Sequence, residues 1–141
     1  MQKRDKHNSI VAGESCSLTL ALNPFEWTAV EETGFAFYVL DVSALANDVD
    51  SKEATVLRKP PSSPTLAAAQ KTETAKIFLN FARFPFAIVY AEEDGFRVFI
   101  RDLRFARPGS TDWDFVVEVD LDRSLRVKNQ TFRFSMKKPL Y

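Results

Sequence analysis

The apolar residues follow two different periods along the chain, and the changes between them divide it into strands, then helix, then strands. Leu18, Leu20 and Leu22 alternate with smaller residues, which predicts a strand over residues 17–22. Asn23-Pro24 closes it, because the ring of a proline pushes the preceding residue into extended backbone. Residues 26–33 and 35–42 flank Gly34, and the second run is rich in aromatic and β-branched residues suited to a pleated, half-buried surface. A hairpin turning near Thr33-Gly34 is the simplest account.

The middle of the chain changes character. Asn47, Asp48, Asp50, Ser51 and Lys52 predict a polar loop, and residues 55–58 a short strand. Pro60, Pro61 and Pro64 then exclude a central strand, since proline brings no N–H to a ladder. Ser63 is placed to cap a helix that opens with Pro64 and continues through an alanine-rich stretch to residue 71. Thr72 begins a second helical pattern in which Ile77, Phe78, Phe81 and Ala82 share the apolar face, while Lys76, Asn80 and Arg83 fall mostly off it. Pro85 ends that helix.

Strand signals return in residues 86–91, the Asp94-Gly95 turn and residues 96–105. On the second of these strands Phe96, Val98, Ile100 and Asp102 share one face. Residues 107–110 form the next turn. Trp113, Phe115, Val117, Val119 and Leu121 then alternate with Asp114, Val116, Glu118 and Asp120, the clearest half-buried strand in the sequence. Asp122-Arg123-Ser124 turns the chain into a last strand or pair of strands over residues 125–134. The order predicts an α+β fold: a mainly antiparallel β-sheet with one principal amphipathic helix packed on one face. Residues 1–16 read as a flexible lead-in, 17–136 as a single domain and 137–141 as a tail.

Composition narrows the chemistry. The 45% hydrophobic content and 13 phenylalanines are enough for a true core. Nineteen basic residues balance nineteen acidic ones, which argues against nucleic acid as a partner. One cysteine (Cys16) excludes an internal disulfide, and with one histidine (His7) it leaves too few soft ligands for a structural zinc site. No apolar run is long enough for a signal core or a bilayer span, so the chain reads as soluble and without an address.

Candidate active groups are sparse. His7 lies in a polar stretch with no element to hold it against a nucleophile, and the four glycines are too scattered for a phosphate loop. The carboxylates Glu118 and Asp120 alternate with valines, as on a solvated sheet face. Asp102 stands out because it follows Val98 and Ile100 on the face that looks buried; a buried carboxylate needs a partner, and Arg83 or Arg104 is placed to supply one. Trp27, Phe25, Tyr38, Phe84 and Trp113 either line an apolar groove or fill a phenylalanine-rich core.

The order of several short motifs resembles the soluble C-terminal part of the bacterial membrane-bound metal-dependent hydrolase family, the YdjM-like group. They are Asn23-Pro24-Phe25-Glu26-Trp27 with Val30-Glu31-Glu32-Thr33, then Lys59-Pro60-Pro61, Phe78-Leu79-Asn80-Phe81-Ala82-Arg83-Phe84-Pro85, Asp94-Gly95-Phe96-Arg97-Val98 and Arg101-Asp102-Leu103-Arg104-Phe105. The resemblance implies a divalent metal held by an N-terminal bundle of hydrophobic helices. This chain has no such bundle, so no metal ligand, cofactor or catalytic residue is carried over to it. The expectation is a non-catalytic domain at the bacterial inner membrane, on either side of it, accessory to a membrane-embedded N-terminal region of the same protein. Whether the chain is a fragment of such a protein or a gene product keeping only this domain stays open, as does whether it has any enzymatic activity. Trp27, Glu31, Arg83, Asp102 and Arg104 are the candidate site, an arginine and carboxylate cluster beside an aromatic wall, suited to a phosphate-bearing or lipid-like ligand.

Two other readings stand beside it. One is a free-standing, cytoplasmic protein-interaction or ligand-binding module that pairs through an exposed sheet edge at residues 129–135, with a homo-oligomer as one outcome. The other is a small enzyme that uses clustered carboxylates with a cation.

Overall fold

The computed structural model describes residues 15–20, 25–45, 54–106 and 112–137. The turn at Asn23-Pro24, the polar loop at 47–52, the turn at 107–110 and most of the lead-in and tail lie outside them. Among the described residues eight strands form two antiparallel four-stranded sheets, each in sequence order, so the antiparallel α+β class holds with its strands divided between two sheets. Sheet A contains β1 (Ser15–Leu20), β2 (Glu26–Glu32), β3 (Ala36–Ser43) and β4 (Thr55–Arg58). Sheet B contains β5 (Pro85–Glu92), β6 (Gly95–Asp102), β7 (Asp112–Asp122) and β8 (Val127–Lys137).

Two helices precede sheet B, α1 (Pro64–Gln70) and α2 (Glu73–Phe81). Ser63 Oγ accepts the Leu66 N–H at 3.1 Å and Pro64 occupies the first turn, so α1 starts where an orphan donor is satisfied and a missing one does no harm. Thr72 serves both helices: its hydroxyl donates to the Ala69 carbonyl at 2.8 Å and accepts the Ala75 N–H at 3.3 Å, closing α1 and capping α2. The Gln130 side chain accepts the Thr74 N–H at 3.0 Å, tying the start of α2 to β8.

Both helices lie on one face of sheet B. Ala69, Ala75 and Phe78 meet Ala87, Val98, Ile100, Val117, Val119 and Leu121 there, and the two buried alanines let the helices approach closely. The opposite face is shared. Phe84, Phe86, Leu103 and Ala106 pack against Val30, Phe37 and Val39 of sheet A, with Phe37 edge-on to both Phe84 and Phe86. Farther along, Phe99, Trp113 and Val116 form a third cluster.

Two local devices shape sheet B. A Cβ on Gly95 would stand 1.9 Å from the Leu121 carbonyl oxygen, so only glycine lets β6 begin so close to the end of β7. Phe115 has φ 53, in the left-handed region that a bulky residue rarely enters. Side-chain alternation breaks at that point: Phe115 packs toward the helix side, whereas Trp113 joins Phe99 and Val116 on the reverse face. The unbroken alternation expected from Trp113 to Leu121 is therefore corrected at its first residue.

The apolar stripe predicted for α2 is also corrected. Ala75 and Phe78 are buried, but Ile77 and Phe81, one turn apart on the same flank, are largely exposed.

Candidate functional site

Asp102 ends β6 fully buried and is the hub of the junction between α2, β5 and β6. Its carboxylate accepts the backbone N–H groups of Arg83 (3.0 Å), Phe84 (3.4 Å) and Arg104 (3.0 Å). It also takes Nε and Nη2 of Arg104 at 2.8 and 2.7 Å. Burial pushes this carboxyl up, but the hydrogen bonds from Arg104 and Arg83 and the Arg104 charge outweigh it, and its pKa lies below the usual carboxylate value. The Arg104 guanidinium continues outward, donating to the Phe81 carbonyl at 3.1 Å and lying 4.9 Å from the Phe81 ring and 5.4 Å from that of Phe105.

From Arg104 a chain of phenylalanines runs across the molecule to β8. Phe81 stacks on Phe105 (6.3 Å), Phe105 meets Phe115 (4.3 Å), and Phe115 touches Phe132 (6.3 Å) and Phe134 (5.7 Å). Phe132 and Phe134 lie edge to face at 5.1 Å. This row runs from the rim of the core outward: Phe105 and Phe115 are half-buried, Phe81 and Phe134 are 55% and 70% exposed, and Ile77 extends the apolar area along α2. The left-handed Phe115 sits at its centre, where the strain of the backbone turns one ring into the row.

The five residues expected to form a site are thus divided. Asp102 and Arg104 pair as anticipated, and Arg83 joins them through its backbone N–H, with its side chain exposed. Trp27 and Glu31 lie on β2 of sheet A, alternating with Val30, so they occupy the face turned away from Phe84 and Leu103. Sequence reasoning missed the row of Phe105, Phe115, Phe132 and Phe134, half-buried at its first two rings and exposed at its last two. The signal was the alternation of Phe132 and Phe134, which places two phenylalanines on one face of β8, an edge strand among the described residues.

On the reverse face the carboxylates are neutralised by arginine. Arg97 Nε lies 2.9 Å from Asp120, 3.3 Å from Glu92 and 3.6 Å from Glu118, and Arg133 Nε lies 2.8 Å from Glu118. Among the described residues no three His, Cys, Asp or Glu side chains come together as metal ligands. No helix among them is long and apolar enough to cross a membrane.

A helix pair on one face of an antiparallel four-stranded sheet, with Asp102, Glu118 and Asp120 tied to arginines, defines a domain of the α+β class. A family model described as the YfhP C-terminal alpha/beta plait domain matches residues 64–139, from α1 through β8, and the chain belongs to that family. This match corrects the resemblance to the YdjM-like metal-dependent hydrolases, which rested on short motifs spread over both sheets, several of which are now seen to be turns and core positions. No curated protein and no solved structure matches the chain.

Proposed function

We propose that this domain is a non-catalytic protein-interaction module that receives its partner on the phenylalanine row beside β8. The observation that carries the reading is the exposure of Phe81, Phe132 and Phe134 as one connected surface, together with Ile77. Single exposed apolar side chains are ordinary on monomers, whereas a contiguous group of them marks a contact area. The strand beneath adds a second means of attachment. β8 has 11 residues and, among the described residues, is an edge of sheet B, which leaves its outer backbone groups to an incoming strand. A phosphate-bearing ligand is less well supported, because Nε and Nη2 of Arg104 are already committed to Asp102 and the Phe81 carbonyl.

Phe35 provides an internal control. It is also 70% exposed, in the turn between β2 and β3 on the other sheet. A photo-crosslinking phenylalanine analogue placed at position 134 in living cells is expected to give a discrete protein adduct, and the same analogue at position 35 none. Equal adducts at the two positions, or none at either, would overturn the reading.

A further inference from the structure

The opposite edge of sheet B carries a site of a different kind. A cavity of about 490 Å³ lies there, within the range of natural ligand sites. One wall consists of Arg58 and the Pro60-Pro61 segment that leads to α1; the other is formed by the four consecutive residues 86–89 of β5. Consecutive strand residues point to alternate faces, so a cavity touching all four lies along the edge of the strand and against its backbone.

That backbone is open. Among the described residues β5 pairs with β6 alone, and the Phe84 carbonyl accepts the Leu103 N–H at 3.0 Å, which sets the phase of the ladder. Antiparallel pairing alternates, so Phe86 and Ile88 turn their N–H and C=O groups to β6 and Ala87 and Val89 turn theirs into the cavity. The neighbouring segment does not fill these positions itself. Pro60 and Pro61 have no N–H to offer the carbonyls of β5, so the wall stands beside the edge without zipping onto it. Arg58 sets the charge of the groove: it is exposed, and among the described residues no ion pair engages it, whereas the adjacent Lys59 is held by Glu32 at 2.6 Å.

We infer that this groove binds an extended, acidic segment of a partner protein, which adds to β5 as a further strand and sets a carboxylate against Arg58. The added strand exchanges backbone hydrogen bonds with Ala87 and Val89, which supply affinity, while its acidic side chain supplies selectivity. This site is independent of the phenylalanine row at β8 and stands or falls apart from it.

The test is a selection of displayed random heptapeptides against the full chain, followed by soluble copies of the enriched sequences. Enriched peptides are expected to contain Asp or Glu, to slow hydrogen exchange at the Ala87 and Val89 amides, and to bind at least about tenfold more weakly to Arg58→Glu. Val89→Pro, which removes one outward N–H and leaves the bonds to β6 in place, is expected to weaken them similarly. Because Arg58 is exposed, that variant reports on binding even where the proline variant folds poorly. Three results would overturn the inference: no enrichment, binding indifferent to Arg58→Glu, or protection of β8 amides in place of β5. Ala87 and Val89 amides already protected in the peptide-free protein would also overturn it, by showing the groove filled by the chain itself or a second copy.

Discussion

The two faces of sheet B are made by the same strands yet held in different ways. On the helix side Val98, Ile100, Val117, Val119 and Leu121 are closed off by Ala69, Ala75 and Phe78, an apolar contact that meets a charge only at Asp102, where the row ends. On the reverse side the intervening residues are mixed: Phe86 and Phe99 lie near a buried arginine, Arg101, and the ionic group of Arg97, Glu118, Asp120 and Arg133. The first face is fixed by shape, since a close-packed interior resists any change of volume. The second is fixed partly by mutual satisfaction of charges, which leaves some positions costly to keep and others cheap to lose. Substitutions should therefore cost more on the helix side, and at one reverse-face position the sign should invert.

The largest effect is expected where a carboxylate ends the helix-side row. Asp102→Ala strands the Arg104 guanidinium and the Arg83 and Phe84 N–H groups, and should cost about 3–5 kcal/mol in urea unfolding. Asp102→Asn keeps an acceptor and should lose less. The folded-state pKa of Asp102 is lowered, so its contribution is present above the ordinary carboxylate pKa and disappears as the pH falls through the lowered value. Acid titration of stability should accordingly be steeper in the wild type than in Asp102→Asn.

Adjacent valines give the next test. Val116 and Val117 are both fully buried but face opposite ways, Val117 into the helix contact and Val116 beside Phe99 and Trp113. Val117→Ala should cost about 2–3 kcal/mol and Val116→Ala about 1 kcal/mol less, because the smaller cluster can close around the lost methyl groups. Equal losses would remove the distinction between the faces.

How far the sequence could anticipate this arrangement depends on the range of the forces involved. Local chemistry was legible: the strand at Thr55–Arg58, the turn at Thr33-Gly34 and the cap at Ser63 are set by residues within a few positions of one another. Asp102 was legible as well, since an acid in an apolar row needs a partner. Arg83 was read through its guanidinium, yet it acts through its N–H, and no side-chain pattern reports a backbone donor. The α2 stripe misled because periodicity marks a face without saying how much of it the sheet covers; a helix of nine residues covers Ala75 and Phe78 and leaves Ile77 and Phe81 outside. Trp113 was misplaced because one left-handed residue, Phe115, reverses the alternation, and phenylalanine carries no signal for that conformation. The β5 groove was beyond reach altogether, since it joins residues 58–63 to a strand that begins more than twenty positions later.

Arg101 is the position where the sign should change. It is 9% exposed, its guanidinium lies 5.0 Å from the Trp113 ring, and its Nε is a buried nitrogen with no hydrogen-bond partner among the described residues. Burial lowers its pKa to about 10, against the opposing influence of Asp114. Arg101→Met keeps the length of the side chain and removes a poorly compensated charge, so it should be neutral or stabilising by about 1 kcal/mol in thermal unfolding. The pH dependence provides a check. A folded-state pKa below that of the unfolded chain means that the wild type carries the whole cost below pH 10 and sheds it as the pH rises from there, so the advantage of methionine should shrink above pH 10. A clear loss of stability in Arg101→Met would show that this face, too, depends on the arginine it encloses.

The smallest effect belongs to the outer ion pair of the same face. Arg133 bonds Glu118 at 2.8 Å, but its side chain is 48% exposed and Glu118 keeps Arg97 within 3.6 Å when Arg133 is gone. Arg133→Ala should therefore cost less than about 1 kcal/mol, and the difference should diminish further in 0.5 M salt, where the screening length is only about 4 Å. The double variant Arg97→Ala with Arg133→Ala sharpens the point. It strips Glu118, itself largely buried, of both partners, and should cost clearly more than the sum of the two single changes. Simple additivity in that cycle would mean that the arginines act as independent surface charges, and that the reverse face is held by its aromatic clusters alone.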